Sequence, residues 1–314
     1  MKYWITGGGG FMGPHMADFL IENGHEVLST YFPASEKNKK INPKAKYVEC
    51  DVRNKQMVYH LLKEFRPDRI IHLAAQSFPT VSWEDPWYTI ETNTLGTINL
   101  FEGVKELGID CKIMNACSSA AYGFVTQEEV PIKENHSLKP LHPYGVTKAA
   151  QEMLAYQYFK NFGVKSVSIR IFNTTGPGKT NDVCSDFTKR IVEMEKGINK
   201  DNKLKVGNLE AKRAITDVRD TIRAFYLALE KATVGESYNV SGDYVYRMGD
   251  IVEMIRKLTS VQFETEVDPK LIRPTDEPII FGDSTKFKKE TDWKQEIFLE
   301  KTLKDMISYW RANL

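Results

Sequence analysis

The sequence is poor in the features that mark whole classes of protein. It has only four cysteines, Cys50, Cys111, Cys117 and Cys184, with no CxxC spacing and no histidine cluster beside them. That argues against a zinc site or a disulfide framework, and no metal is expected. Three of the four close apolar runs, as buried thiols do. No stretch approaches the roughly 20 apolar residues of a membrane span. A strand pattern begins after Met1 and Lys2, leaving no room for a signal peptide. Free thiols then place the chain in a reducing cytoplasm. Charge of one sign is missing as well: 43 Lys and Arg face 42 Asp and Glu, a formal net charge of +1. The summed field lacks the sign a nucleic-acid binder needs, and the short run Lys37, Lys39, Lys40 reads as a solvated loop. No repeat or low-complexity tract appears, and 314 residues bury a core without staples.

What is present is an alternation. Short runs rich in β-branched and aromatic residues are separated by longer stretches of helical period. Strands are expected at Lys2 to Thr6, Glu26 to Thr30, Lys46 to Cys50, Arg69 to Leu73, Cys111 to Cys117 and Ser166 to Ile171. The helical stretches follow Met12 and lie near Lys55 to Phe65, Pro86 to Leu107 and Tyr144 to Phe162. This is the rhythm of parallel strands joined by crossover helices, an α/β doubly wound sheet. It changes beyond Asn173, where Thr174 to Asn181 is a Gly/Pro/Thr loop. The expected division is residues 1–172 for a dinucleotide-binding domain and 173–314 for a smaller α/β lobe. The helix at Val218 to Leu229 can return to the sheet, so that the two interleave.

The turn after the first strand carries Gly7, Gly10 and Gly13 in GxxGxxG spacing. Missing side chains there permit a tight turn, close approach to a pyrophosphate and tight packing of the following helix, whose N-terminus attracts phosphate. The cofactor contacts begin with these glycines and include Phe11 and Met12. The second strand ends Ser29-Thr30-Tyr31-Phe32, without the acidic residue that holds the ribose of NAD. Tyr31 takes that place. With no carboxylate to repel a 2′-phosphate, NADP(H) is slightly favoured, but the usual arginine is missing too, and NAD(H) stays open.

Tyr-x-x-x-Lys occurs three times, at Tyr59/Lys63, Tyr144/Lys148 and Tyr156/Lys160. The spacing places an ammonium beside a phenol on one helical face, where it stabilises phenolate and lowers the phenol's pKa. Pro143 before Tyr144, and Ser118 just past the fifth strand, single out the second pair. Ligands bind at that carboxyl edge of open parallel sheets. Tyr156 lies about 18 Å along the same helix, and Tyr59 has no comparable serine. The catalytic candidates are Ser118, Tyr144 and Lys148. Ser119 is their neighbour in the turn.

With these pieces in order, the chain resembles the extended short-chain dehydrogenase/reductase family. The matching motifs are Thr6-Gly7-Gly8-Gly9-Gly10-Phe11-Met12-Gly13, Asp51-Val52-Arg53, His72-Leu73-Ala74-Ala75, Asn93-Thr94-Leu95-Gly96-Thr97, Ser118-Ser119-Ala120-Ala121-Tyr122-Gly123 and Tyr144-Gly145-Val146-Thr147-Lys148. The resemblance implies a Rossmann fold in which Asp51 and Val52 border the adenine, while Leu73, Ala74 and Ala75 line the cofactor groove. It makes Tyr144 the general acid or base, Lys148 the holder of the nicotinamide ribose, and Ser118 the hydrogen-bond partner of the reacting oxygen.

Later motifs look like the nucleotide-sugar branch: Arg170-Ile171-Phe172-Asn173-Thr174-Thr175-Gly176-Pro177-Gly178, Val206-Gly207-Asn208-Leu209-Glu210-Ala211-Lys212-Arg213, Asp217-Val218-Arg219-Asp220 and Leu271-Ile272-Arg273-Pro274. They are most similar to GDP-4-keto-6-deoxy-mannose reductases and GDP-mannose 4,6-dehydratases. That similarity implies Asn173, Arg213 and Arg273 on the substrate diphosphate, with Val206 to Leu209, Asn208 among them, forming the base pocket; Ser118 and Ser119 approach the sugar. A dehydratase of that branch needs a Glu two residues after the catalytic Ser/Thr to remove a proton, and here Ala120 stands there. Some reductases resembling this chain also keep an acid at that place, so Ala120 departs from their pattern too.

The expected activity is reduction of the 4-keto group of a GDP-4-keto-6-deoxy sugar. The alternatives are a GDP-sugar 4,6-dehydratase or nucleotide-sugar 4-epimerase and, from another class, a non-catalytic NAD(P)-sensing protein. A homodimer is expected through the Pro86 to Leu107 and Tyr144 to Phe162 helices, as in the wider family.

Overall fold

The computed structural model describes residues 1–33, 42–272 and 278–314. In chain order the first half holds β1 (Lys2–Thr6), α1 (Met12–Glu22), β2 (Glu26–Tyr31), β3 (Lys46–Glu49), α2 (Lys55–Phe65), β4 (Arg69–His72), α3 (Pro79–Glu84), α4 (Pro86–Ile90), α5 (Gly96–Glu106), β5 (Lys112–Ser118), α6 (Pro143–Phe162) and β6 (Lys165–Ile171). The second half holds β7 (Asn173–Thr175), α7 (Val183–Glu195), β8 (Lys203–Val206), β9 (Lys212–Asp217), α8 (Val218–Glu230), β10 (Ser237–Val240), β11 (Val245–Arg247), α9 (Met248–Arg256), β12 (Glu264–Val267), β13 (Ile279–Ile280), α10 (Thr285–Thr291) and α11 (Leu299–Asn313).

Seven strands form one parallel sheet in the order β10-β6-β5-β4-β1-β2-β3. The strand order reverses at β1, with β2 on one side and β4 on the other, and a crevice opens there beyond the strand ends. The helices fall in two layers. α2 shows how one is specified: Val58, Leu61, Leu62 and Phe65 are its buried face, Asn54 accepts the Met57 N–H at its start, and Arg66 in left-handed geometry ends it. That face packs with Trp4, Ile70, Phe101, Ile113 and Tyr158 on one side of the sheet. Tyr3, Ile5, Met16, Val27 and Ile71 form the core on the other side.

The chain returns to this sheet after residue 172. β10 pairs with β6, and Val218, Ile222, Ala224 and Phe225 of α8 share the buried cluster of Tyr3 and Ile5. The rest of the second half builds a smaller unit. β9 pairs with β7 and β13 in parallel and β11 antiparallel, β8 pairs with β12, and α7, α9 and α11 enclose Cys184, Phe187, Ile191, Leu204, Ile251 and Leu303.

The stretch Pro86 to Leu107 is not one regular helix. Between α4 and α5 the residues Glu91–Leu95 form a π turn, in which polar Thr92 and Asn93 face inward and Leu95 is exposed. All four cysteines are buried and free. Among the described residues no group of three or more His, Cys, Asp or Glu is placed to hold a metal, and no helix is long and apolar enough to cross a membrane. Lys37, Lys39, Lys40 and Arg273 lie outside the described residues.

Candidate active site

A cleft of about 1220 Å³ runs from the glycine turn, past the ends of β4 and β5, to α7 and the segment after β8. Gly7 has φ +73°, and a Cβ there would meet Ala74 N at 2.7 Å; one on Gly13 would meet the Gly8 carbonyl at 2.3 Å. These two glycines let α1 and β4 close on the turn. Gly10 differs, since its Cβ would meet only Gly7 O, at 3.3 Å, yet it borders the cleft. What its missing side chain leaves open is cleft space. α1 starts after Phe11 with no side-chain cap and no acidic residue in its first turn, leaving its N-terminal dipole facing the cleft. Phe11, Met12 and Gly13 line it. Lys179 Nζ, from the other side, stands 4.9 Å from the Phe11 ring centroid.

Beyond β3, Asp51 is gripped by Arg53 through Nε–Oδ1 at 3.0 Å and Nη2–Oδ2 at 2.7 Å. Burial acts to raise the Asp51 carboxyl, but the Arg53 hydrogen bonds outweigh it and hold it below its ordinary value. Arg53 lies 5.5 Å from the Phe32 ring centroid and 5.1 Å from that of Tyr88. Asp51, Val52, Leu73, Ala74 and Ala75 all border the cleft. Tyr31 does not. Its ring stacks on Tyr47 with centroids 4.3 Å apart, and Phe32 lines the cleft instead.

Ser118 ends β5, and its Oγ accepts the Ala120 N–H at 3.1 Å. Tyr144, in the first turn of α6, stands beside Ser118, whose hydroxyl favours the phenolate. Lys148 Nζ donates to the Ala116 carbonyl at 2.8 Å and lies 5.7 Å from the Tyr144 ring centroid. The three residues meet on the cleft wall beside Ser119 and Ala120. The expected lowering of the phenol is not realised: burial pushes Tyr144 up to about 12, against the Ser118 hydroxyl. Burial also brings Lys148 down to about 8, because low-dielectric surroundings disfavour both charged forms. The other two Tyr-x-x-x-Lys pairs stand away from the cleft; Tyr156 is exposed, and Tyr59 packs under Lys55 and against Gly103.

A buried polar frame supports this wall. Asn93, in the π turn, takes the Gln76 N–H at 2.8 Å and donates to Gln76 O at 3.0 Å and Thr147 Oγ1 at 2.9 Å. Arg170 grips Glu152, one turn beyond Lys148, at 2.7 and 2.5 Å. His72 lies 2.8 Å from Thr6 Oγ1 through Nδ1 and 3.0 Å from Thr97 Oγ1 through Nε2.

On the far side Asn173, Asn208 and Arg213 border the cleft. Asn173 Nδ2 donates to Ala214 O at 3.4 Å, and Arg213 donates to Lys212 O at 2.9 Å. Val206 does not line it. That side chain is fully buried with Cys184 and Ile251, while Gly207, Asn208 and Leu209 form the wall. Val206 points inward because β8 alternates exposed and buried residues. The motifs missed a whole face: Val183, Asp186, Phe187 and Arg190 of α7 line the cleft, at the i, i+3, i+4, i+7 spacing of one helical face whose charged residues gave no signal of a cleft in the sequence. Burial raises the Asp186 carboxyl, opposed by Arg190 and Lys189.

Residues 4–306 match the family model for GDP-mannose 4,6 dehydratase. The chain belongs to this family. It is 30% identical to the GDP-6-deoxy-D-mannose reductase of Pseudomonas aeruginosa, over 79% of this chain and 82% of that protein. It is 26% identical to the GDP-mannose 4,6-dehydratase of Yersinia enterocolitica, over 98% of this chain and 93% of that protein. Among solved structures it superposes on RMD from Pseudomonas aeruginosa complexed with NADPH with a TM-score of 0.88 at 26% identity, covering 100% of this chain and 99% of that one. The UDP-glucose 4-epimerase of Thermotoga maritima, solved with UDP-glucose, gives 0.91 at 28% identity with the same coverage. The family member described here is thus a nucleotide-sugar enzyme of the extended short-chain dehydrogenase/reductase type with an α/β Rossmann-like fold.

Proposed function

We propose that the chain reduces the 4-keto group of a GDP-4-keto-6-deoxy sugar, using NADPH in preference to NADH. The observation that carries this is the meeting of Ser118, Tyr144 and Lys148 on the cleft wall, with Ala120 rather than a carboxylate two residues beyond Ser118. The carboxylates bordering the cleft, among the described residues, are Asp51, Asp182 and Asp186. Asp51 is held by Arg53, and Asp182 caps α7 by accepting the Ser185 N–H. Elimination of water needs a base beside the sugar, and Ala120 supplies none. Similarity to the Pseudomonas reductase points the same way.

When bound, the reduced nicotinamide supplies a hydride. Gly7, Gly10 and Gly13, with the α1 N-terminus, would receive the dinucleotide diphosphate; Lys179 adds a cation beside Phe11. Asp51 and Val52 border the adenine end. Ser118 hydrogen-bonds the ketone oxygen, and Tyr144 delivers its proton there as the carbonyl carbon becomes tetrahedral. A phenol kept protonated by burial is in the right state to act as that acid, and Lys148 holds the ribose. Asn173 and Arg213 take the substrate diphosphate, a role suited to guanidinium.

The test is a panel of GDP-, CDP- and UDP-linked 4-keto sugars with NADPH and NADH. The expected result is one reduced cofactor consumed per GDP-6-deoxy sugar formed. An epimerase or dehydratase would return the hydride to the sugar and leave the cofactor unchanged overall, and that outcome would overturn the assignment.

A further inference from the structure

The face of α7 that sequence motifs did not reveal carries information about the base. Val183, Asp186, Phe187 and Arg190 border the cleft along one side of the helix. Arg190 donates to the Lys205 carbonyl at 3.1 Å, which fixes this face against the end of β8. The chain continues there as Gly207, Asn208 and Leu209 along the same cleft. Leu271 closes in so tightly that a Cβ on Gly207 would meet its carbonyl at 2.7 Å. Phe187, Leu209, Leu271 and Met248 give the end of the cleft apolar walls, suited to the faces of a planar ring.

Of the three carboxylates that border the cleft among the described residues, Asp51 is bound to Arg53 and Asp182 caps α7. The Asp186 carboxylate accepts no hydrogen bond and forms no ion pair among the described residues; its backbone N–H is spent on Asp182 O, and Arg190 and Lys189 act on the carboxylate through their charges. It stands one helical turn before Arg190, a spacing that puts the two on neighbouring sites of the helix surface.

We propose that Asp186 reads the base of the nucleotide sugar by accepting the paired N1–H and N2–H donors of guanine, and so selects guanine over uracil, cytosine and adenine. This rests on the reading above that the second-half residues hold the nucleotide. Two carboxylate oxygens match two adjacent donors as a fork, a charge-assisted arrangement stronger than neutral pairs. The other bases do not offer that pair. Uracil presents one N–H between two carbonyl oxygens, and adenine and cytosine present a ring-nitrogen acceptor where guanine presents N1–H, so a carboxylate facing them meets lone pairs. Arg190, one turn on, complements the acceptor end of the guanine edge.

Calorimetric titration of the full chain with GDP, inosine diphosphate, 2′-deoxy-GDP and UDP tests this. Inosine diphosphate lacks only the N2 amino group, and 2′-deoxy-GDP only a ribose hydroxyl. The wild-type protein is expected to bind GDP about tenfold or more tightly than inosine diphosphate, with 2′-deoxy-GDP close to GDP. Asp186→Ala should weaken GDP by about tenfold to a hundredfold, abolish the GDP-to-inosine difference and, by removing the carboxylate that faces uracil's carbonyl oxygens, strengthen UDP rather than weaken it. Equal wild-type affinity for GDP and inosine diphosphate overturns the proposal without needing the variant. Loss confined to 2′-deoxy-GDP also overturns it, because the carboxylate would then hold ribose. Failure of every nucleoside diphosphate to bind instead sinks the nucleotide-sugar reading of this half of the cleft.

Discussion

Tyr144 and His72 are both governed by burial, and each makes a measurable demand. With its phenol at about 12, Tyr144 enters a reduction as an acid. Tyr144→Phe removes the proton but keeps the ring, so kcat should fall by about 10²–10⁴-fold while the dissociation constant for NADPH stays within a few-fold. A variant that turns over at the parent rate would remove Tyr144 from the mechanism. His72 sits between two threonine hydroxyls. Thr97 gives its own proton to Asn93 O, so its oxygen accepts from His72 Nε2, and Nδ1 is left to accept from Thr6. Burial, with the charge of Lys148 behind it, lowers His72 from 6.5 to about 3. The unfolded chain therefore takes up a proton that the folded chain refuses. Stability from this group is full above pH about 6.5 and drains away as pH falls toward about 3, a loss of roughly 2 kcal/mol by pH 5. Urea titrations at pH 7 and pH 5 should show a smaller drop for His72→Asn than for the parent; parallel drops would refute the linkage.

At the scale of elements, the π turn Glu91–Leu95 is the feature that matters most to the site. Its extra residue turns Asn93 inward, where one amide satisfies both backbone groups of Gln76 and reaches Thr147, the neighbour of Lys148. Asn93→Ala leaves the buried Gln76 N–H and C=O without their partners, at roughly 1–3 kcal/mol each, and loosens α6 below Lys148. Chemical denaturation should report the loss in stability, and kcat should fall more than the substrate KM changes. This turn was not legible in the sequence, because the residues it turns inward, Thr92 and Asn93, are polar and give no apolar signal. The strands were legible. Runs such as Arg69 to Leu73 are buried on both faces, and their β-branched residues announce it. Ser118, Tyr144 and Lys148 were likewise legible, since a strand end and a helix start place them together by topology alone. Tyr31 and Val206 were misplaced by one position each, as happens where neighbours along an extended chain point to opposite sides. Asp186 and Arg190 stayed hidden because a charged helix face looks like a solvated surface until a partner wall appears across from it.

At the scale of the molecule, the helical layer over α5 and α6 carries several exposed large apolar side chains. Trp83 and Trp87 are 65% and 75% exposed, and Leu95, Val146, Met153 and Tyr156 are exposed beside them in sequence position along α3, α4, the π turn and α6. Those elements pack on one another, so the residues belong to one side of the fold. Contiguous apolar surface beyond a few hundred Å² marks an interaction site, and a near-zero net charge of +1 sets up no repulsion between copies. A second copy of the chain is the expected partner, burying on the order of 800 Å² from each. Sedimentation equilibrium at micromolar concentration should give twice the chain mass of 36.0 kDa. Met153→Glu combined with Tyr156→Glu should return it to one mass, since two carboxylates facing their symmetry mates would be desolvated without partners. The double variant should keep its cofactor affinity, because neither side chain borders the cleft. A parent protein that sediments as a monomer throughout would leave the exposed tryptophans to some other use and refute self-association.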